Sequence, residues 1–208
     1  MPTSAYFEQV FEINPQLVET LNEVYTASFP PEQRADLAGE LRSLNLQRDA
    51  LFVARENQAY LGFGILRWLP GCSLFALDYL AVNPQQRGRQ LGSGLLADLK
   101  TLAFARSGGL IFEVEPGDEG CQAERRIAFY QRQGGRIIPG PQAYRIPNLA
   151  GSGSLPMWLM WIPSDPKRPD LSGKALCDCI QEIYTHLYGK PTDDPLLAQV
   201  LQDFGCVP

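Results

Sequence analysis

The chain has 208 residues, of which 45% are hydrophobic and 20% are charged. This length suits one globular domain, or one domain with an appendage, and is too short for two full domains. The formal net charge of −5 leaves no excess of Lys and Arg for phosphate contacts, which argues against nucleic acid as a partner. His186 is the single histidine, so a catalytic triad would have to use it and a site with several histidines is excluded.

Membrane and metal chemistry have no support in the sequence. No run approaches the roughly 20 consecutive apolar residues of a membrane span, and the first residues lack the charged and apolar regions of a signal peptide. The five cysteines are Cys72, Cys121, Cys177, Cys179 and Cys206. They lack the paired spacing of a metal site. We therefore expect reduced thiols in a cytoplasmic protein, with no metal and no membrane contact.

The first half of the chain predicts helices and strands in alternation. Asn14 is a favourable N-cap, and Pro15 suits the first helical position. Alternating apolar runs predict strands, and a period near 3.6 predicts helices. We predict helices at 15–29 and 32–48, strands at 51–55, 59–68 and 73–82, and a further helix from residue 92.

The second half continues the alternation and then changes character. We predict a strand at 110–115, a helix at 123–133, a strand at 136–138, a loop-rich insert, a strand at 157–162, and helices at 172–188 and 195–204. The order predicts a mixed α/β chain. Its domain organisation would be a strand-rich core over residues 1–163, followed by a helical C-terminal extension over 164–208.

The residues from 77 to 96 place a loop rich in Gly and Arg between a buried strand and a helix. Backbone N–H groups converge at a helix N-terminus, which carries about half a positive charge. Arg87 and Arg89 add charge, while Gly88 and Gly92 let an anion approach the main chain. The pattern predicts a phosphate or diphosphate site, although a turn with solvated arginines would look the same. It matches neither a Walker loop nor a dinucleotide fingerprint.

The same stretch resembles the acetyl-CoA-binding motif of the GCN5-related N-acetyltransferase (GNAT) family, Q/R-x-x-G-x-G/A. The matching residues are Arg87, Gly88, Arg89, Gln90, Leu91 and Gly92. Residues 28–32 and 127–135 are similar to two further family elements, the second being A-x-x-F-Y-x-x-x-G-F. The chain departs from the family at Gln90, where the motif has glycine, and at Ala123, where asparagine is frequent.

The resemblance implies a fold, a cosubstrate and a reaction. The fold would be a mostly antiparallel central sheet flanked by helices, and the reaction would be direct acetyl transfer from acetyl-CoA to a primary amine of a small molecule or peptide. One strand would pair with the pantetheine arm, and the loop would bind the diphosphate. The cofactor-binding residues implied are Leu80, Ala81, Val82, Arg87, Gly88, Arg89, Gln90, Leu91, Gly92 and Ser93.

Acyl transfer to an amine needs a group that removes the amine proton and another that protonates the departing thiolate. By resemblance, Tyr130 matches the family's acid, and the alternative is a tyrosine packed on the apolar face of its helix. Glu113 and Glu115 lie on a strand where some family members place the base. Strand alternation puts both on one face without choosing between them, and Asp78 is a weaker candidate for contact with a cationic acceptor.

A second interpretation keeps the fold without the chemistry. The chain could be a catalytically silent CoA-binding sensor or assembly module, for which Gln90 and Ala123 would be the signs. Tyr130 and the two glutamates favour the enzyme. The sequence leaves open the acceptor, the acyl length, a homodimer and the role of the extension.

Overall fold

The structure is a computed structural model that describes residues 5–117, 120–140 and 144–206. Its strands are β1 (Tyr6–Val10), β2 (Ala50–Glu56), β3 (Ala59–Leu69), β4 (Leu74–Val82), β5 (Gly109–Val114), β6 (Arg136–Ile137), β7 (Arg145–Pro147), β8 (Ser154–Pro156) and β9 (Trp158–Pro163). Its helices are α1 (Pro15–Ser28), α2 (Leu37–Ser43), α3 (Leu91–Arg106), α4 (Cys121–Arg132), α5 (Gly173–His186) and α6 (Pro195–Asp203).

Seven strands form one sheet in the order β1-β2-β3-β4-β5-β9-β6, and β7 pairs with β8 separately. The pairings of β1 with β2, β2 with β3, and β9 with β5 and β6 are antiparallel. The parallel pairing is between β4 and β5, where Phe75 and Ala76 lie opposite Leu110 and Ile111. The predicted fold class, a mixed α/β chain with a mostly antiparallel sheet flanked by helices, is confirmed.

The chain divides into two compact units. The first comprises the residues up to Arg67 together with 77–102 and 149–151, and the second comprises 68–76, 103–148 and the residues from Ser152 onward.

The core of the first unit has α1 and α2 on one face of the strands and α3 on the other. Leu21 of α1 and Leu41 of α2 share a hydrophobic cluster with Phe63 of β3. The residues on either side of Phe63 are Gly62 and Gly64, which point to the opposite face and leave room for α3. A Cβ at Gly64 would lie 2.5 Å from Leu99 Cδ1. This close packing places α3 against the sheet.

The core of the second unit joins the C-terminal helices to the sheet. Ile111 of β5 and Trp161 of β9 lie in one buried cluster with Ile180 of α5 and Val200 of α6. On the other face of β5, Phe112 contacts Tyr130 of α4. The extension therefore covers apolar sheet residues, while the domain boundary at residue 163 stays a prediction.

The expectation of reduced thiols is wrong for one pair of cysteines. Cys177 of α5 and Cys206, just after α6, form a disulfide with a Cα–Cα distance of 5.6 Å and a sequence separation of 29. Their spacing gave no sign of this, because only the packing of α5 against α6 brings the two residues together. Cys72 and Cys179 are free thiols.

Three local predictions also differ from the structure. The second helix is shorter than 32–48, because a 3₁₀ turn at Pro31–Gln33 precedes it and Asp36 caps α2 by accepting a hydrogen bond from Gly39 N. The edge strand β1 went unpredicted, and the insert contains the β7–β8 pair. No helix in the described ranges is long and apolar enough to cross a membrane.

Candidate functional site

The predicted anion-binding loop lies between β4 and α3. A 3₁₀ turn at Pro84–Gln86 follows β4, and the Asn83 side chain caps it by accepting a hydrogen bond from Gln85 N at 3.0 Å. The first bond of the following helix runs from Gly94 N to the Gln90 carbonyl. A helix leaves the N–H groups of its first turn without intrahelical partners, and here those groups belong to Leu91, Gly92 and Ser93. They form a set of donors suited to an anion.

The loop backbone is left-handed at two positions. Gly88 has φ of 83° and Gln90 has φ of 60°. A Cβ at Gly88 would meet no atom within 4 Å, so its glycine serves the backbone conformation rather than packing. Gln90 takes a conformation that L-residues adopt at a cost, which explains physically why the family motif has glycine there. Its side chain is exposed, and its backbone keeps the turn.

The two loop arginines have different surroundings. The Arg89 guanidinium donates to both Glu56 carboxylate oxygens, at 2.5 and 3.2 Å, and to Gln86 Oε1 at 2.5 Å. These hydrogen bonds lower the pKa of the Glu56 carboxyl. Both arginines are exposed. Arg89 is tied to the end of β2 by its hydrogen bonds, so Arg87 is the better placed of the two to meet an anion from solvent.

At the end of β4, the groups available to a ligand are backbone groups rather than charged side chains. Leu80 and Val82 are partly buried and Ala81 is buried. Asp78, the weaker candidate for contact with a cationic acceptor, accepts a hydrogen bond from buried Arg67 Nε at 3.2 Å. Arg67 also pairs with Glu40, so Asp78 already has a cationic partner within the protein.

Glu113 has a different environment, in the second unit. It is partly buried on β5, and its two oxygens accept hydrogen bonds from two phenols, Oε1 from Tyr144 and Oε2 from Tyr188. Burial raises the pKa of the Glu113 carboxyl to about 7, against the lowering effect of the two phenols. A carboxyl with this pKa accepts and releases a proton readily near neutral pH.

Glu115 has other partners. It follows the last residue of β5, Val114, and forms an ion pair with Arg126 of α4. The alternation argument therefore reaches Glu113 but not Glu115, which lies beyond the strand. Of the two glutamates, Glu113 has the environment suited to proton transfer, and Glu115 is paired with a cation.

Tyr130 lies on α4 with 7% of its surface exposed. Its ring centroid is 4.4 Å from that of Phe112, and burial raises the pKa of its hydroxyl to about 12. Phe112 and Glu113 are consecutive strand residues, so they point to opposite faces of β5. Tyr130 and Glu113 therefore lie on opposite faces of the same strand. Because its pKa is raised, Tyr130 remains protonated at neutral pH.

Sequence reasoning missed Tyr144 and Tyr188. They lie 31 and 75 positions from Glu113, one in the predicted loop-rich insert and the other in the extension. No motif or periodicity connects the three positions, because the hydrogen bonds depend on how α5 and the insert fold back onto β5.

Comparison with known proteins gives one family. Residues 14–135 match the model of the "Acetyltransferase (GNAT) family". A protein of Bacillus subtilis (strain 168) named "Putative acetyltransferase YjbC" is 32% identical over 106 residues, which is 50% of this chain and 50% of that protein. The match thus spans about half the length of this curated relative.

Solved structures agree in fold. A "Putative acetyltransferase from GNAT family" from Bacteroides thetaiotaomicron superposes with a TM-score of 0.70 at 24% identity, over 89% of this chain and 99% of that one. An aminoglycoside 6'-N-acetyltransferase complexed with coenzyme A superposes with a TM-score of 0.60 at 19% identity, over 79% of this chain and 99% of that one.

Proposed function

Because this chain belongs to the GNAT family of acetyltransferases, as its match over residues 14–135 shows, we propose that it acetylates a primary amine of a small molecule or peptide. Acetyl-CoA is the donor, and the amine attacks it directly in a ternary complex. The observation that carries the proposal is the loop before α3, which combines a left-handed backbone with the first turn of a helix, whose N–H groups lack intrahelical partners. The resemblance read from residues 87–92 is confirmed at the level of the family.

The loop fits the diphosphate of acetyl-CoA in both geometry and charge. Leu91, Gly92 and Ser93 contribute N–H donors at the positive end of α3. Arg87 is exposed and adds a mobile cation, while Arg89 is fixed to Glu56 and shapes the loop. The main chain of Leu80, Ala81 and Val82 is assigned to the pantetheine arm, as the family resemblance implies.

Glu113 is the proposed base. A free primary amine is protonated at neutral pH, since its pKa is about 10. Glu113 accepts that proton first, and the neutral nitrogen then attacks the thioester carbon with its lone pair. A pKa of about 7 is near the value at which a base works best at neutral pH. Glu115, paired with Arg126, has the weaker claim to this role.

Tyr130 is the proposed acid. As the carbon–sulfur bond breaks, the departing thiolate takes a proton from the phenol. Burial keeps Tyr130 protonated, so the hydroxyl is available at every pH at which the protein would work. The phenolate regains a proton from the nitrogen, which loses its second proton as the adduct becomes an amide, and Glu113 releases the first proton to solvent.

The second candidate is a CoA-binding sensor without transfer. Gln90 is the observation that favours it, because a side chain occupies a left-handed position where the family motif has glycine. A sensor would bind acetyl-CoA without releasing its thiol when amines are added.

Thermal melting with acetyl-CoA, against ATP and NAD as controls, tests whether the protein binds acetyl-CoA. A ligand at 100 times its dissociation constant adds about 2.7 kcal/mol to the free energy of unfolding, so acetyl-CoA alone should raise the melting temperature. Release of free thiol with a panel of amines then separates the enzyme from the sensor. Tyr130→Phe should keep the melting shift and lose most of the thiol release. The absence of any shift with acetyl-CoA would refute both candidates.

A further inference from the structure

The Glu113 carboxylate is held by residues from outside the sheet. Tyr144 comes from the segment before β7, and Tyr188 comes two residues after α5 in the C-terminal extension. Each donates to a different oxygen of Glu113. A carboxylate has about four lone-pair sites, so these two hydrogen bonds do not saturate it.

The position of Tyr188 is itself fixed by packing. Its ring lies 5.8 Å from the ring of Tyr184, at an interplanar angle of 72°. Tyr184 is fully buried, and its hydroxyl donates to the main-chain carbonyl of Arg145. Lys190 N donates to the Tyr184 carbonyl at 3.0 Å, which closes the chain around Tyr188. The phenol is therefore presented to Glu113 from a well-packed support.

We propose that Tyr188 is a positioning residue for acetyl transfer, whose hydroxyl orients the Glu113 carboxylate and keeps it ionised, so that the C-terminal extension forms part of the proton-accepting site. The inference rests on the proposed function, since it assigns a role within the same reaction. It gives the extension a chemical role in addition to its packing against β5 and β9.

The electrostatic surroundings of Glu113 fix the sign of the effect. Among the described residues, the titratable groups that interact with it are the three phenols of Tyr144, Tyr184 and Tyr188. Asp194 of α6 and Arg145 of β7 act on Tyr184. Hydrogen bonds to the ionised form of a carboxyl lower its pKa, so removing one phenol hydroxyl must raise it.

The experiment compares Tyr188→Phe with Tyr184→Phe. Both substitutions remove one hydroxyl and keep the ring, but only the first removes a donor to Glu113. A hydrogen bond to a charged group stabilises it by an amount equivalent to about one to two pKa units. The acidic limb of kcat/KM in Tyr188→Phe should therefore move about one unit to higher pH. Activity should fall about tenfold at pH 6 and little at pH 9, with an unchanged KM for acetyl-CoA.

Two results would overturn the inference. One is an acidic limb that stays in place in Tyr188→Phe, and the other is an equal shift in Tyr184→Phe. If Tyr188→Phe does not fold, 3-fluorotyrosine at position 188 gives the opposite test. Its more acidic phenol is a stronger donor and should move the limb to lower pH, and an unmoved limb again refutes the role.

A substrate-free titration separates this inference from the proposed function. Infrared difference spectra follow the Glu113 carboxyl directly, and Glu113→Gln identifies its band. Tyr188→Phe should raise the midpoint of that band, and an unchanged midpoint defeats the inference whatever the enzyme does. The absence of acetyl transfer from the unaltered protein with every amine would instead defeat the proposed function.

Discussion

Glu113 is the proposed base, yet it lies at a site where burial disfavours its charged form. Burial disfavours the carboxylate, and the phenols of Tyr144 and Tyr188 restore part of its stability. Neither phenol could be assigned from the sequence. Tyr144 lies in the loop-rich insert, and Tyr188 ends the predicted helix 172–188, whose periodicity does not show which strand residue the hydroxyl meets. Gln90 illustrates the opposite case, since its position in the motif was evident and only the structure gave its φ of 60°.

Glu113→Gln should flatten the dependence of stability on pH. The folded pKa is about 7, above the ordinary value of 4.5, so between these values the folded state binds more protons than the unfolded state. Stability from this group is full below the unfolded pKa and is lost as the pH rises through about 7. The loss in the unaltered protein should be roughly 1–3 kcal/mol, and urea unfolding at pH 5 and pH 8 measures it.

Glu115→Gln is the control for this measurement. It removes the carboxylate paired with Arg126 and leaves Glu113 with both phenols. The loss of stability between pH 5 and pH 8 should persist in that variant. If it disappears there and remains in Glu113→Gln, the assignment of the titration to Glu113 is wrong.

Among the elements, those with strong local signals were predicted closely. Helix α1 has an asparagine cap and proline at its start, and β2 and β3 are long apolar runs joined by a short turn. Strand β1 has no buried residue, so alternation could not identify it. Strands β7 and β8 have three residues each, too few for a period to emerge. Their pairing depends on tertiary structure.

The contact between β3 and its neighbours gives a matched pair of substitutions. A Cβ at Gly62 would lie 2.6 Å from the Ala81 carbonyl oxygen, whereas a Cβ at Gly64 would meet the end of the Leu99 side chain. Gly62→Ala must displace the β4 main chain, while Gly64→Ala can be relieved by a rotamer change. We expect Gly62→Ala to cost about 1–3 kcal/mol and to weaken acetyl-CoA binding.

Gly64→Ala serves as the control for that substitution. It should cost less stability and leave acetyl-CoA binding nearly unchanged, as measured by urea unfolding and calorimetric titration. Equal losses of affinity in the two variants would show that the main chain at Ala81 is not the part that binds the cosubstrate.

At the scale of the whole molecule, the disulfide connects the two helices of the extension. It closes a segment with a sequence separation of 29, and the chain-entropy model gives a stabilisation of about 3–4 kcal/mol for a loop of that length. Cys206→Ser should lower the free energy of unfolding by a comparable amount under oxidising conditions. Under reducing conditions the difference should vanish.

Cys72→Ser is the matched control for the disulfide. Cys72 is a free thiol. The difference in free energy of unfolding between Cys72→Ser and the unaltered protein should therefore be the same with and without reductant. If Cys206→Ser and the unaltered protein unfold alike in the absence of reductant, the link between α5 and Cys206 contributes nothing to stability.

The cluster that joins α5 and α6 to β5 and β9 bears on how the protein could be shortened. A fragment cut after residue 163 would keep every family motif, and a search by motif would judge it complete. It would also leave Ile111, Leu159 and Trp161 without the side chains of α5 and α6 that share their cluster. A large apolar patch in water promotes self-association, so such a fragment should aggregate during purification even though its recognisable sequence is intact.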